Sequence, residues 1–258
     1  MLKCFDVSGK VAFITGGSQG LGRAFARAFA KAGADLCIIS RSEEKLMDTC
    51  REMEGYGVRC IYHIADIRDA DAVQVAVDKC VAQLGKVDFL INNAAANAQH
   101  IPLHEIPVSD YQRVIDINLV GTLIVSQIVV RQMIRQGYGG AIVNMCSIAG
   151  QVFHGLLDPG AYEASKEGMK ALTRAMAQNW TDYGIRVNGI APGYFLSDAN
   201  LAACKRNPAT EKTLAAQVPM KRWGDPDEMG PVGVFLCSDA ASYIQGTVLT
   251  VDGGRTFR

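Results

Sequence analysis

Short apolar runs alternate with amphipathic stretches along the whole chain. Residues 11–14 form a compact run followed by glycines, after which Leu21, Phe25, Phe29 and Ala32 recur at helical spacing up to Gly33. A second run at 36–39 precedes a helical face of Leu46, Met47, Cys50 and Met53. Runs at 58–64, 87–91, 141–145 and 187–190 read as strands, and 72–84, 110–136 and 162–182 read as helices. Strands that are apolar throughout belong to a sheet covered on both faces. Strand–helix alternation then predicts an α/β fold, a doubly wound parallel sheet with right-handed crossovers and helices on both sides.

No break in composition, internal repeat or low-complexity segment divides the chain, so its 258 residues are expected to form one domain. Residues 191–225 are less regular and carry Pro192, Pro208 and Pro219; they read as a candidate substrate lid or as a solvated connection before a last helix. Hydrophobic residues at 49% and charged residues at 20% suit a globular core. The 26 basic and 26 acidic residues cancel, so no general attraction to nucleic acid or an anionic membrane is expected. No uninterrupted apolar run reaches the roughly 18 residues of a membrane span, and the first residues lack a secretory signal. Eight cysteines without a C-x-x-C pair read as free thiols, mostly buried, in a reducing, cytoplasmic setting.

Thr15-Gly16-Gly17-Ser18-Gln19-Gly20-Leu21-Gly22 joins the first strand to the first helix. Glycines there allow a tight turn and a close approach to a pyrophosphate, whose charge suits the open N–H groups of a helix start. Tyr162 and Lys166 lie four apart on one helical face. A tyrosine has a pKa of about 10, and a lysine ammonium nearby favours its phenolate, drawing it toward neutrality. Ser147 ends a strand where a parallel sheet opens on its ligand crevice. Ser165 and Cys146 have no paired base, and packing roles are expected for both. At the end of the second strand, Ser40, Arg41 and Ser42 stand where an NAD enzyme usually carries an acid, and Arg41 lies 19 residues after Gly22. An arginine fork suits a 2′-phosphate, so NADP(H) is expected ahead of NAD(H). His100 and His104 are separated by Pro102 and have no third ligand nearby, so no metal is expected.

The T-G-x-x-x-G-x-G loop, Asn92-Asn93-Ala94-Ala95, Asn118, Ser147, Tyr162-x-x-x-Lys166 and Pro192-Gly193 occur in this order, and with them the chain resembles the short-chain dehydrogenase/reductase family over almost its whole length. Ala95 departs from the usual glycine. The resemblance implies a Rossmann fold and hydride transfer between a secondary alcohol and a ketone. It implies catalytic roles for Ser147 at the substrate oxygen, Tyr162 as acid or base, Lys166 beside it, and Asn118 holding a water that connects the lysine to solvent. Cofactor contacts are implied at Gly16, Ser18, Gln19, Gly20, Leu21, Gly22, Ser40, Arg41, Ser42, Asp66, Ile67, Asn93, Ala94, Tyr162, Lys166, Pro192, Gly193 and Ser197, with Asp66 bounding the adenine pocket. The segments 188–195, 222–226 and 251–254 look like gluconate 5-dehydrogenases. The spacing from Ser147 to Tyr162, with Asp158-Pro159-Gly160 inside it, looks like polyol and sorbose reductases. A 3-oxoacyl-[acyl-carrier-protein] reductase shares nearly every motif, and a redox-sensing protein would keep the cofactor fold while losing the tyrosine or lysine. Family helices matching 110–136 and 162–182 pair across subunits, implying a homotetramer, with Ala171, Leu172, Ala175 and Met176 offered for contact.

Overall fold

A computed structural model describes residues 2–99, 101–152, 160–198, 200–201, 204 and 209–256. His100, Asp158, Pro159 and parts of 191–225, all weighed above, lie outside the described residues. The apolar runs become strands β1 (Val11–Thr15), β2 (Asp35–Ser40), β3 (Cys60–Ile64), β4 (Phe89–Asn92), β5 (Gly140–Met145) and β6 (Ile185–Pro192). A further strand, β7 (Val248–Val251), was not marked by the pattern; its two central residues are exposed, so it carries no buried run. All pair in parallel in the order β3-β2-β1-β4-β5-β6-β7, with Val11 opposite Asp35 and Ala12 opposite Phe89.

Side chains alternate across this sheet and feed two apolar layers. Ile14, Ile38, Ile91 and Val143 pack with Phe25 and Phe29 of α1 (Gly20–Lys31), Leu46 and Met53 of α2 (Glu43–Glu54), and Met229 and Leu236 of α8 (Pro226–Cys237). Phe13, Ile39, Leu90 and Ile142 face the other way. They meet Val73 and Val77 of α3 (Ala70–Leu84), Val125, Val129 and Met133 of α5 (Thr122–Gln136), and Met176 of α6 (Ala161–Trp180). Helix ends follow local chemistry. Gly33 at φ +85° stops α1. Asp69 caps α3 by accepting from the Ala72 N–H at 3.0 Å, and Asp225 with Glu228 forms a capping box ahead of α8.

Several expectations need correction. Met47 is exposed, and Thr49 occupies the buried face of α2 beside Cys50. Met176 belongs to the protein's own core and is unavailable for subunit contact. Residues 110–136 are not one regular helix: α4 (Val108–Ile115) passes into a π-helical turn, Asp116–Gly121, before α5 begins. The whole stretch Val108–Gln136 is long and apolar enough to cross a membrane by length and composition, which uninterrupted runs did not reveal; 56% of its most apolar window is buried inside the fold. Within the irregular 191–225 region, α7 (Ala209–Gln217) is helical.

Candidate active site

Chain order reverses between β1 and β4: β2 follows β1 on one side, and β4 lies on the other. At such a switch point the strand ends diverge and leave a crevice outside their carboxyl edges. A cleft of about 550 Å³ opens there, bordered by the glycine loop, the ends of β2, β4, β5 and β6, and the start of α6.

The loop has the shape its glycines permit. Gly16 sits at φ +64°, and a Cβ on Gly22 would run into the Gly16 carbonyl oxygen. Gly22 therefore allows close packing of helix on loop and does not itself line the cleft, unlike the other expected loop residues Gly16, Ser18, Gln19, Gly20 and Leu21. Helix α1 has no side-chain cap from Gln19 and no acid in its first turn. Its positive end is thus available to an anion, although the Gly20 N–H donates to the Asp198 carboxylate at 2.8 Å. Asn93 closes the far side of the loop, donating from Nδ2 to the carbonyls of Thr15 and Gly16 at 3.1 and 3.2 Å. An adenosine diphosphate fits a cradle of this kind.

At the end of β2, Ser40, Arg41 and Ser42 line the cleft opposite Asp66 and Ile67. Asp66 is engaged by Arg68, with oxygens 2.7 and 3.0 Å from its guanidinium, and this hydrogen bonding holds the carboxyl down at about 2.

Ser147, Tyr162 and Lys166 share the other end with Ala94, Pro192, Gly193 and Ser197. Ser147 Oγ accepts from the Ala149 N–H at 3.0 Å, so its own proton points to the Tyr162 hydroxyl and is within the site for donation. Lys166 is buried; its Nζ donates to the Met145 carbonyl at 2.7 Å and lies 5.5 Å from the centre of the Tyr162 ring. The phenol is not drawn toward neutrality as the spacing implied. Burial pushes Tyr162 up to about 12 despite an opposing hydrogen bond from Ser147, and burial brings Lys166 down to about 8. Loss of water sets the direction in both groups. Cys146, in the cleft wall, is pushed up by burial, in keeping with a packing role.

Asn118 lies in the π-helical turn behind the wall, buried and not lining the cleft. Its Oδ1 accepts from the Ala96 N–H at 2.7 Å, and its Nδ2 donates to the Ala96 carbonyl and to Ser165 Oγ, each at 2.9 Å. Ser165 in turn donates to the Tyr162 carbonyl at 2.6 Å. Ser165 is therefore more than packing: with Asn118 it ties the loop after β4 to the first turn of α6. A π-bulge at such a place is common in functional sites.

Lys45, Ala96, Asn97, Ile117, Met145, Phe195, Asp198 and Asn200 also line the cleft and were not singled out by sequence. Ala96 and Asn97 directly follow the Asn92-Asn93-Ala94-Ala95 motif, a signal that could have extended the assignment; Lys45 and Asp198 carried none.

A family model described as enoyl-(acyl carrier protein) reductase matches residues 16–256. The chain is 37% identical over 251 residues to a 2-dehydro-3-deoxy-D-gluconate 5-dehydrogenase of Formosa agariphila, covering 97% of this chain and 94% of that one. A crystal structure of a gluconate 5-dehydrogenase from Burkholderia cenocepacia, in complex with NADP and tartrate, superposes with a TM-score of 0.91 at 35% identity, covering 100% of this chain and 99% of that one. The structure of an NAD+-bound xylitol dehydrogenase gives a TM-score of 0.89 at 33% identity, covering 96% and 99%.

Proposed function

Because the chain belongs to the short-chain dehydrogenase/reductase family, we propose that it interconverts a secondary alcohol and a ketone on a sugar acid, polyol or ketosugar with NADP(H). Membership makes it an oxidoreductase with a nicotinamide cofactor. The observation that carries the proposal is the convergence of Ser147, Tyr162 and Lys166 on the cleft that the glycine loop opens.

A bound nicotinamide supplies the hydride for ketone reduction or accepts it from the alcohol. The side chains manage the proton. Tyr162, kept protonated by burial, donates its phenolic proton to the substrate oxygen in reduction and recovers it in oxidation. Ser147 donates a hydrogen bond to the same oxygen and stabilises its developing charge. Lys166, fixed against the Met145 carbonyl, stabilises the tyrosinate left behind and would hold the nicotinamide ribose of a bound cofactor. Asn118 acts as a positioning residue, since both N–H groups of its amide are engaged by Ala96 and Ser165.

The chain acts as one unit, with described residues of the 191–225 stretch bordering the cleft. Supporting this, Phe195 bridges to Gly224, and Ser197, Asp198 and Asn200 reach the cleft. The sugar-acid reading draws on the relatives, and the motifs shared with 3-oxoacyl-[acyl-carrier-protein] reductases keep an acyl-carrier ketoreductase as the second reading. The setting proposed is the cytoplasm, as a tetramer of identical chains.

The NADP(H) reading rests on Arg41 and on the lack of any carboxylate at 38–42. One charge-assisted hydrogen bond contributes about 1.5–3 kcal/mol, roughly ten- to a hundredfold in affinity. Arg41→Ala should weaken NADPH binding by about that factor and leave NADH nearly unchanged. A wild-type enzyme that prefers NADH in steady-state kinetics would contradict the reading.

A further inference from the structure

The adenosine end of the cleft holds a second cation. Lys45 lies in the first turn of α2 and lines the cleft together with Ser40, Arg41, Ser42 and Asp66. Its Nζ donates to Gln19 Oε1 at 2.6 Å. Gln19 immediately precedes Gly20 in the phosphate loop and is itself uncharged. The hydrogen bond therefore holds an ammonium between the loop and the end of β2, at a place where the loop offers no charge of its own.

Among the described residues, no carboxylate is within ion-pair distance of Lys45 or Arg41. Asp66, the acid facing them across the cleft, is paired with Arg68. Two unpaired positive charges thus stand beside two serines. Glu43 and Glu44 share the first turn of α2 with Lys45, but neither is within ion-pair distance of it and neither lines the cleft. A phosphate monoester carries about −1.5 to −2 at neutral pH and three acceptor oxygens. It matches two cations in charge, whereas the uncharged 2′-hydroxyl of NAD(H) calls for neither.

We propose that Lys45 is a second specificity-determining residue for the cofactor, leaving Gln19 to pair with the adenosine 2′-phosphate alongside Arg41. This rests on the NADP(H) reading above and extends it to a residue on a different element. Lys45 and Gln19 are both exposed, so replacing the lysine removes a charge without opening the core.

The test is direct binding to the full-length protein, read from nicotinamide fluorescence with NADPH and NADH titrated separately. For Lys45→Ala, the dissociation constant for NADPH should rise about tenfold or more, while that for NADH moves less than about twofold. Lys45→Arg should keep most of the NADPH preference, and the salt dependence of NADPH binding should become shallower in Lys45→Ala. An equal loss for both nucleotides would place Lys45 at the pyrophosphate and overturn the proposal, as would no loss for either. The two readings fail separately: a wild-type protein that binds NADH more tightly overturns the cofactor assignment along with this one, whereas wild-type NADPH preference retained in Lys45→Ala overturns the role of Lys45 alone.

Discussion

Burial moves Tyr162 and Lys166 in opposite directions, up to about 12 and down to about 8. In each case the shift favours the uncharged form, as removal from water must. For reduction this leaves a protonated acid over the whole neutral range, while the supporting ammonium is lost as pH rises through about 8. The value of kcat/KM for ketone reduction should therefore be flat near neutrality and fall above about pH 8. Lys166→Arg, which cannot deprotonate in this range, should remove that falling limb; a limb that stays in the same place would assign it to another group. At this scale the sequence motifs were informative, because Ser147, Tyr162, Lys166 and the glycine loop are marked by spacing. Lys45, Asp198 and the hydrogen bond of Ser165 were not. They matter through contacts between distant segments, such as Asp198 to Gly20, 178 residues away along the chain.

Periodicity located the helices and strands of the core because both apolar layers draw on regularly repeated positions. It failed where burial is incomplete or the helix departs from regular winding. β7 exposes its middle residues, and the π-helical turn at Asp116–Gly121 has no distinct hydrophobic period. Asn118 accounts for that turn: an amide in an apolar stretch is satisfied only by reaching across to Ala96 and Ser165. Asn118→Ala should strand the polar groups it serves, lowering unfolding free energy by about 1–3 kcal/mol. Turnover should fall as well, because the start of α6 that carries Tyr162 loses its tether. Urea unfolding and steady-state rates check both effects, and wild-type values for both would show the amide to be dispensable.

The sheet order, with its reversal between β1 and β4, brings together at one edge residues as far apart as Gly16 and Ser197. The alternating elements announced this architecture, and the parallel pairing follows from it. Assembly is harder to read from a pattern, since apolar residues on α4, the π-helical turn, α5 and α6 serve both core and surface. Met176 is used inside, while Val108, Val120 and Ile134 are exposed at 82%, 43% and 38% and Ala171 and Ala175 face outward. Light scattering at micromolar concentration should report a tetramer; a monomer would leave those apolar residues to solvent and contradict the assembly.

The central claim is NADP-linked alcohol oxidation and ketone reduction with Tyr162 moving the proton. It is tested most directly by following nicotinamide absorbance while the enzyme is offered gluconate, polyols, ketosugars, keto acids and an acetoacetyl thioester, in wild-type and Tyr162→Phe forms. The account predicts NADP(H)-dependent turnover of a sugar acid, polyol or ketosugar, reduced roughly 10²- to 10⁴-fold or more in Tyr162→Phe while NADPH still binds. Near-normal turnover in Tyr162→Phe, or activity confined to the thioester, would contradict it.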